Sequence, residues 1–145
     1  MTTRSVRPPL WHVIATALFT AWSLIGCYFC YLQVTMGADW MPNATEYDRQ
    51  LIASQPVWYN WLYALAVGAG ALGGIAMLAR SRTAVPLLAV SLIAAVIQFG
   101  YVFAATDIIA QKGAATVVPF PLFIIAVAAL ALWGAMRART RGWLR

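Results

Sequence analysis

Cys27-Tyr28-Phe29-Cys30 is the first place in this chain where residue type and spacing could do chemistry. A C-x-x-C pair in a redox protein exchanges electrons through a thiolate and a disulfide. These are the only two cysteines, and they fall inside a long apolar run. A helical backbone strains a bridge between them, and an apolar environment keeps a thiol protonated and inert. Two small packing residues is therefore the favoured assignment, with a thiol redox partner as the rival. His12 is the only histidine, so one chain cannot build a bis-histidine haem site or a multi-histidine metal site. No Ser/His/Asp set, glycine-rich phosphate loop or paired carboxylate can be assembled with sensible geometry. The expectation is a protein without catalytic residues, metal or cofactor.

The remaining polar side chains are distributed unevenly. Gln33, Thr35, Asp39, Glu46, Asn60, Gln98, Tyr101, Thr106, Asp107, Gln111 and Thr116 all fall toward one side of the apolar runs. Gln98 lies sixteen residues beyond Arg82, which at the helical rise is about 24 Å along the axis. Buried amides and hydroxyls need partners, and several facing inward would make a wet cleft able to hydrogen-bond a small polar molecule. Gln33, Asp39, Asn60, Gln98, Tyr101 and Asp107 are the candidate ligand-binding set, with Tyr28, Tyr31 and Trp58 as aromatic walls. The competing explanation is that polar residues collect near any membrane boundary because they cost little there.

The elements that position these groups follow from composition. Only 10% of the residues are charged, against about a quarter in soluble domains, and four long apolar runs occupy most of the chain. Each is long enough to cross a bilayer, which takes about 20 residues. The predicted spans are 10–36, 56–79, 83–106 and 116–136 of a single membrane domain, residues 1–145. The fold class is all-α: an antiparallel four-helix transmembrane bundle with a short periplasmic helix between the first two spans, over about 44–54. That helix has a capping signal in Asn43 and Glu46.

Charge placement sets the orientation. Asp39, Glu46, Asp48 and Asp107, the only four carboxylates, fall in two segments, while Arg4, Arg7, Arg80, Arg82, Arg137, Arg139, Arg141 and Arg145 fall in the three that alternate with them. Cytoplasmic loops retain Lys and Arg, so both ends are predicted to be cytoplasmic in a bacterial inner membrane. The net charge of +6 is then juxtamembrane and faces lipid headgroups, which argues against nucleic acid as a partner. The first apolar stretch is longer than the hydrophobic region of a signal peptide and lacks a small-residue cleavage site, so it is expected to stay as a span.

Packing faces are also legible. His12, Thr16, Thr20, Ser23, Cys27, Cys30 and Val34 follow a helical stripe, so one side of span one faces protein. Ala66, Gly70 and Gly74 form a small-residue face on span two that permits close helix approach, most simply inside the bundle. Trp58, Tyr59, Trp61 and Tyr63 form an interfacial aromatic belt, and Trp143 is expected to return to the opposite interface. Ser23-Leu24-Ile25 with Asp39 aligns with Ser91-Leu92-Ile93 with Asp107 at an offset of 68 residues, a faint sign of two related hairpins.

Several phrases carry a resemblance over nearly the whole chain. They are Leu24-Ile25-Gly26 leading into Tyr31-Leu32-Gln33-Val34-Thr35-Met36, Gly70-Ala71-Leu72-Gly73 before Arg80, Pro86-Leu87 with Ser91-Leu92, Val96-Ile97-Gln98, and Arg141-Gly142-Trp143-Leu144. Together they resemble a family of small bacterial four-span membrane proteins that bear the label "sugar transporter". The resemblance implies transport and transfers no chemistry to any residue. No span carries a formal charge in its core, and intramembrane charges are the usual machinery of proton and ion coupling. The expected function is thus non-enzymatic and transporter-like, for a small neutral polar solute such as a sugar, working as a homo-oligomer. The alternative is an accessory or structural subunit packed against a larger membrane complex.

Overall fold

The computed structural model describes residues 6–145, so Arg4, one of the orienting basic residues, lies outside the described residues. The described chain is helical, without a strand among the described residues: α1 (Leu10–Met36), α2 (Glu46–Ser54), α3 (Val57–Leu78), α4 (Ala84–Ala105), α5 (Ile108–Lys112), α6 (Ala114–Val117) and α7 (Pro119–Thr140). Among the described residues, α1, α3, α4 and the stretch Ala114–Thr140 are long and apolar enough to cross a membrane.

The polar stripe and the glycine face meet. His12, Thr16, Thr20, Ser23 and Cys30 are buried, as are Ala66, Gly70 and Gly74 on α3. Thr16 and Thr20 hydroxyls donate back to the carbonyls of His12 and Thr16, at 2.7 and 2.8 Å. Both threonine hydroxyls are thus paired on a face pressed against another helix. A methyl group added at Gly74 would sit 2.3 Å from Thr20 Oγ1, and one at Gly70 would sit 3.1 Å from both Ser23 Oγ and Ser91 Oγ. Glycine here is a condition of close approach, the use small residues have where lipid offers no hydrophobic driving force. Position rises on α1 as it falls on α3: Thr20 faces Gly74, Ser23 faces Gly70, and Gly26 faces Val67.

α3 packs against α1 and α4, and α4 against α7. The first and last members of this series meet through Trp22, whose ring touches Phe120 and Phe123 at 6.4 and 5.8 Å. The four long helices thus form an arc with a cleft between α1 and α7.

Two turns close one end of the arc. α3 ends in a turn where Ser81 N–H donates to the Ala76 carbonyl and Arg80 N–H to Met77, the Schellman pattern. Arg80 takes the left-handed position with φ 61, which costs a non-glycine residue about 1–2 kcal/mol. Its guanidinium donates to the Trp143 carbonyl at 3.0 Å and the Val6 carbonyl at 2.8 Å. α7 ends in the same pattern with Gly142 at φ 74, and Trp143 N–H reaches back to Ala138. This reversal carries Trp143 and Leu144 into a core with Met77, Ala84, Leu88, Ala135 and Ala138. Trp143 is therefore buried against the bundle end.

The opposite end differs in detail too. The short helix begins at Glu46, and its cap is Thr45 with Asp48, not Asn43 with Glu46: Thr45 Oγ1 accepts from Asp48 N–H, and Thr45 N–H donates to Asp48 Oδ2. Thr45 and Asp48 satisfy the same three-residue rule, which leaves Asn43 in the preceding turn. After α4 the chain makes α5 and α6 around Gly113 at φ 83, a detour that hydropathy alone cannot show. α7 then starts at Pro119, which needs no N–H partner in a first turn.

Candidate functional site

The arc places a cleft of about 370 Å³ between α1, α3, α4 and α7. Its walls are mainly apolar and aromatic, including Phe19, Trp22, Phe29, Phe99 and Phe120. Ser23, Tyr63, Ser91, Gln98 and Trp40 supply the polar groups, and no lining residue carries a formal charge. An apolar concavity with a few convergent polar groups is the usual form of a small-molecule site.

Each polar group has a structural reason for its place. Ser23 continues the buried stripe of α1. Ser91 stands at the corresponding place on α4, donates to the Ala66 carbonyl at 2.6 Å, and with Ser23 flanks Gly70. Gln98 follows Ser91 by two helical turns and is buried, at 5% exposure. Its Nε2 lies 3.5 Å from the Tyr59 hydroxyl, the outer limit of a hydrogen bond, so the amide keeps capacity for a further partner. Trp40 sits in the turn after α1 with its ring against Phe29 at 5.3 Å. Among the described residues its Nε1 is the one fully hidden side-chain donor without an acceptor. Leaving such a group unmade costs about 1–3 kcal/mol, and a native structure that does so calls for an explanation.

The six residues read from the sequence do not converge on one place. Gln98 lines the cleft. Tyr101 meets Trp58 edge-on and Tyr59 at a tilt, at 4.8 and 5.7 Å between ring centres. Gln33 is half-buried, and its amide donates to Gln55 at 3.4 Å. Asn60 is half-buried on α3. Asp39 forms an ion pair with Arg49, and Asp107 accepts from the Tyr47 hydroxyl at 2.7 Å. Trp22, Tyr63 and Trp40 were missed as site residues. Ser23 and Ser91 were read only as helix contacts and repeat landmarks. A tryptophan standing alone between Asp39 and Met41, outside any apolar run, was the available signal for Trp40.

The acidic residues work instead to fasten α2. Asp39 holds Arg49, Asp48 holds Lys112 from the far end of α5, and Asp107 holds Tyr47. Burial raises the Asp48 carboxyl, but the bonds from Lys112 and Thr45 outweigh it, and the net shift is downward. The phenol of Tyr47 and the amide of Gln111 hold Asp107 below the usual carboxylate range. Tyr47 is pushed up to about 12 by desolvation, by the bond it donates to Asp107 and by the charges of Asp107 and Asp48. Through these links α2 is braced across the turn that carries Trp40. Cys27 and Cys30 are free thiols, half-buried and buried, and no group of three or more metal-ligating side chains occurs among the described residues.

Comparison with known proteins finds no matching family model, no matching curated protein and no matching solved structure.

Proposed function

We propose that this chain is a non-enzymatic protein of the bacterial inner membrane that binds and passes a small neutral polar solute such as a sugar. The arrangement is an antiparallel bundle with α2 periplasmic and the ends near Val6 and Arg145 cytoplasmic. The opposed order of Thr20–Gly74, Ser23–Gly70 and Gly26–Val67 supports the antiparallel arrangement. The grouping of Arg80, Arg82, Arg137, Arg139, Arg141 and Arg145 at one end supports the orientation.

The observation that carries the function is the uncharged cleft with an unsatisfied donor. The Gln98 amide offers hydrogen bonds from otherwise aromatic walls, while the Trp40 Nε1–H beside the cleft is hidden and must turn outward to reach a solute. A hydroxylated neutral solute meets both demands, since its oxygens accept and its C–H faces lie on the rings. An ion would be stripped of water with no countercharge, at several kcal/mol. A cleft of this size does not make a through-path alone, so two copies work together. The alternative of an accessory subunit draws on the glycine face of span two and on the absence of core charges. Gly70 and Gly74 lie against Ser23, Ser91 and Thr20 of the same chain, which leaves it the second support alone.

Equilibrium binding of tritiated glucose, xylose and glycerol to the purified protein is the test. Saturable binding of one of them, weakened by Trp40→Phe and by Gln98→Leu, supports the proposal. No saturable binding across the set, together with recovery of a larger stable complex on mild extraction, overturns it in favour of the accessory role.

A further inference from the structure

A second cleft, of about 240 Å³, lies in the same gap between α1 and α7, at the end where Val6, Arg80 and Arg145 meet. Trp11, Phe19, Leu130, Trp133 and Trp143 form much of its wall, and Arg137 stands at its edge. Arg137 is half-buried, and its guanidinium carbon lies 5.3 Å from the centre of the Trp133 ring. Every carboxylate side chain of the protein is at the other end of the helices, where Arg49, Lys112, Tyr47 and Gln50 engage Asp39, Asp48, Asp107 and Glu46. Among the described residues no ion pair reaches Arg137. Arg137 thus borders an apolar slot with no carboxylate side chain beside it.

The slot and the cation together define the occupant. Phe19 and Val127 border both this cleft and the larger one, so the apolar channel continues along the α1–α7 gap toward the bilayer middle. A free anion would leave that channel unfilled, and a neutral chain would leave Arg137 unpaired. One molecule meets both demands: a negative head joined to a long apolar tail. Basic pockets between transmembrane helices take acidic lipid headgroups, and a guanidinium grips a phosphate diester with two parallel N–H donors. Tryptophans such as Trp11 and Trp133 sit well at headgroup depth. Gly134 leaves room beside Arg137, since a methyl group there would meet nothing within 4 Å.

We propose that this end of the α1–α7 gap is a binding site for one anionic phospholipid, with the phosphate on Arg137 and one acyl chain lying along Phe19 and Val127. The proposal does not rest on the reading of the larger cleft, with which the acyl chain would share Phe19 and Val127.

Native mass spectrometry of the full chain, released from micelles doped equally with phosphatidylglycerol and phosphatidylcholine, tests this. The wild type is expected to keep one phosphatidylglycerol with about fivefold preference, the scale of one basic group at an anionic surface. Arg137→Gln should bring the ratio to about one, and Arg137→Lys should keep most of it. Arg139→Gln, an exposed position outside the cleft, should leave the ratio unchanged. Gly134→Leu should reduce retention of both lipids by filling the chain slot, and it keeps the test decisive if Arg137→Gln fails to fold. Equal retention by the wild type overturns the proposal, as does a preference that survives Arg137→Gln. Displacement of the lipid by millimolar glycerol phosphate shows a headgroup-only anion site, and unchanged retention in Gly134→Leu shows a chain lying elsewhere; either result also overturns it.

Discussion

Replacing Gly74 by alanine perturbs the tightest of the glycine contacts between helices. The new methyl carbon would lie 2.3 Å from Thr20 Oγ1, 3.1 Å from Thr20 Cβ and 3.2 Å from Thr20 Cα, where ordinary contact begins at 3.4 Å. Rotating the Thr20 hydroxyl away breaks its 2.8 Å bond to the Thr16 carbonyl and still leaves the backbone atom in place, so α1 and α3 must separate. Overpacking of this kind costs about 1–3 kcal/mol. Gly68, on the same helix, would meet nothing within 4 Å, and alanine there should be neutral or gain about 0.5–1 kcal/mol from reduced backbone freedom. The two variants should therefore differ by about 1–4 kcal/mol in reversible unfolding from mixed micelles. Adding Thr20→Ala to Gly74→Ala removes the 2.3 Å contact and leaves only the 3.1 and 3.2 Å ones. The double variant should regain about half the loss, a coupling within the usual 0.5–3 kcal/mol for touching residues. Equal stability of Gly74→Ala and Gly68→Ala, or no rescue by Thr20→Ala, would refute the close-packed α1–α3 seam.

Trp40→Phe removes the orphaned N–H, so the solute-free protein should keep its stability or gain up to about 1–3 kcal/mol; calorimetry showing a loss above about 1 kcal/mol contradicts the assignment of that group to a ligand. Ser91→Ala deletes a buried 2.6 Å bond to the Ala66 carbonyl and should cost about 0.6–1 kcal/mol in the same unfolding assay; a neutral result denies it that role. The clasp on α2 should depend on pH from both sides. Asp48 and Asp107 have depressed folded pKa values, so their contribution is present above about pH 4 and lost as pH falls through those lower values. Tyr47 is raised to about 12, so its contribution is full below about pH 10 and lost as pH rises toward the folded value. Spin labels at Ala53 and Ala110, both exposed, should give a narrow distance distribution at neutral pH that broadens in strong acid and strong base. A distribution that stays narrow in acid removes the carboxylates from the clasp.

The long helices were legible because periodicity and hydropathy act over many residues. His12, Thr16, Thr20, Ser23 and Cys30 of the stripe and the small-residue face of α3 are buried, since hydroxyls and glycines placed at helical spacing have only one economical use in lipid. Cys27 is half-buried, and Val34, past the contact with α3, is exposed. What escaped the sequence depends on single turns. Gly142 adopts a positive φ that folds Trp143 and Leu144 inward, and no composition rule separates that from a tail lying at the interface. Asp39 and Asp107 looked like parts of a polar mouth because they sit near Gln33, Gln98 and Tyr101 along the chain. Helix α2 intervenes and takes them as ion-pair and hydrogen-bond partners. Trp40 reaches the cleft only because the turn after α1 bends back over it, a tertiary effect without a periodic signature.

Solute counterflow is the decisive assay for the uncharged cleft. Liposomes containing only the purified protein, preloaded with unlabelled glucose, xylose or glycerol, would be diluted into the labelled compound with and without imposed proton and voltage gradients. Because the cleft lining carries no formal charge, the expected result is saturable, transient accumulation that is the same with either gradient and is lost in Gln98→Leu. Absence of accumulation for all three solutes, or accumulation that disappears when the proton gradient is collapsed, would contradict it.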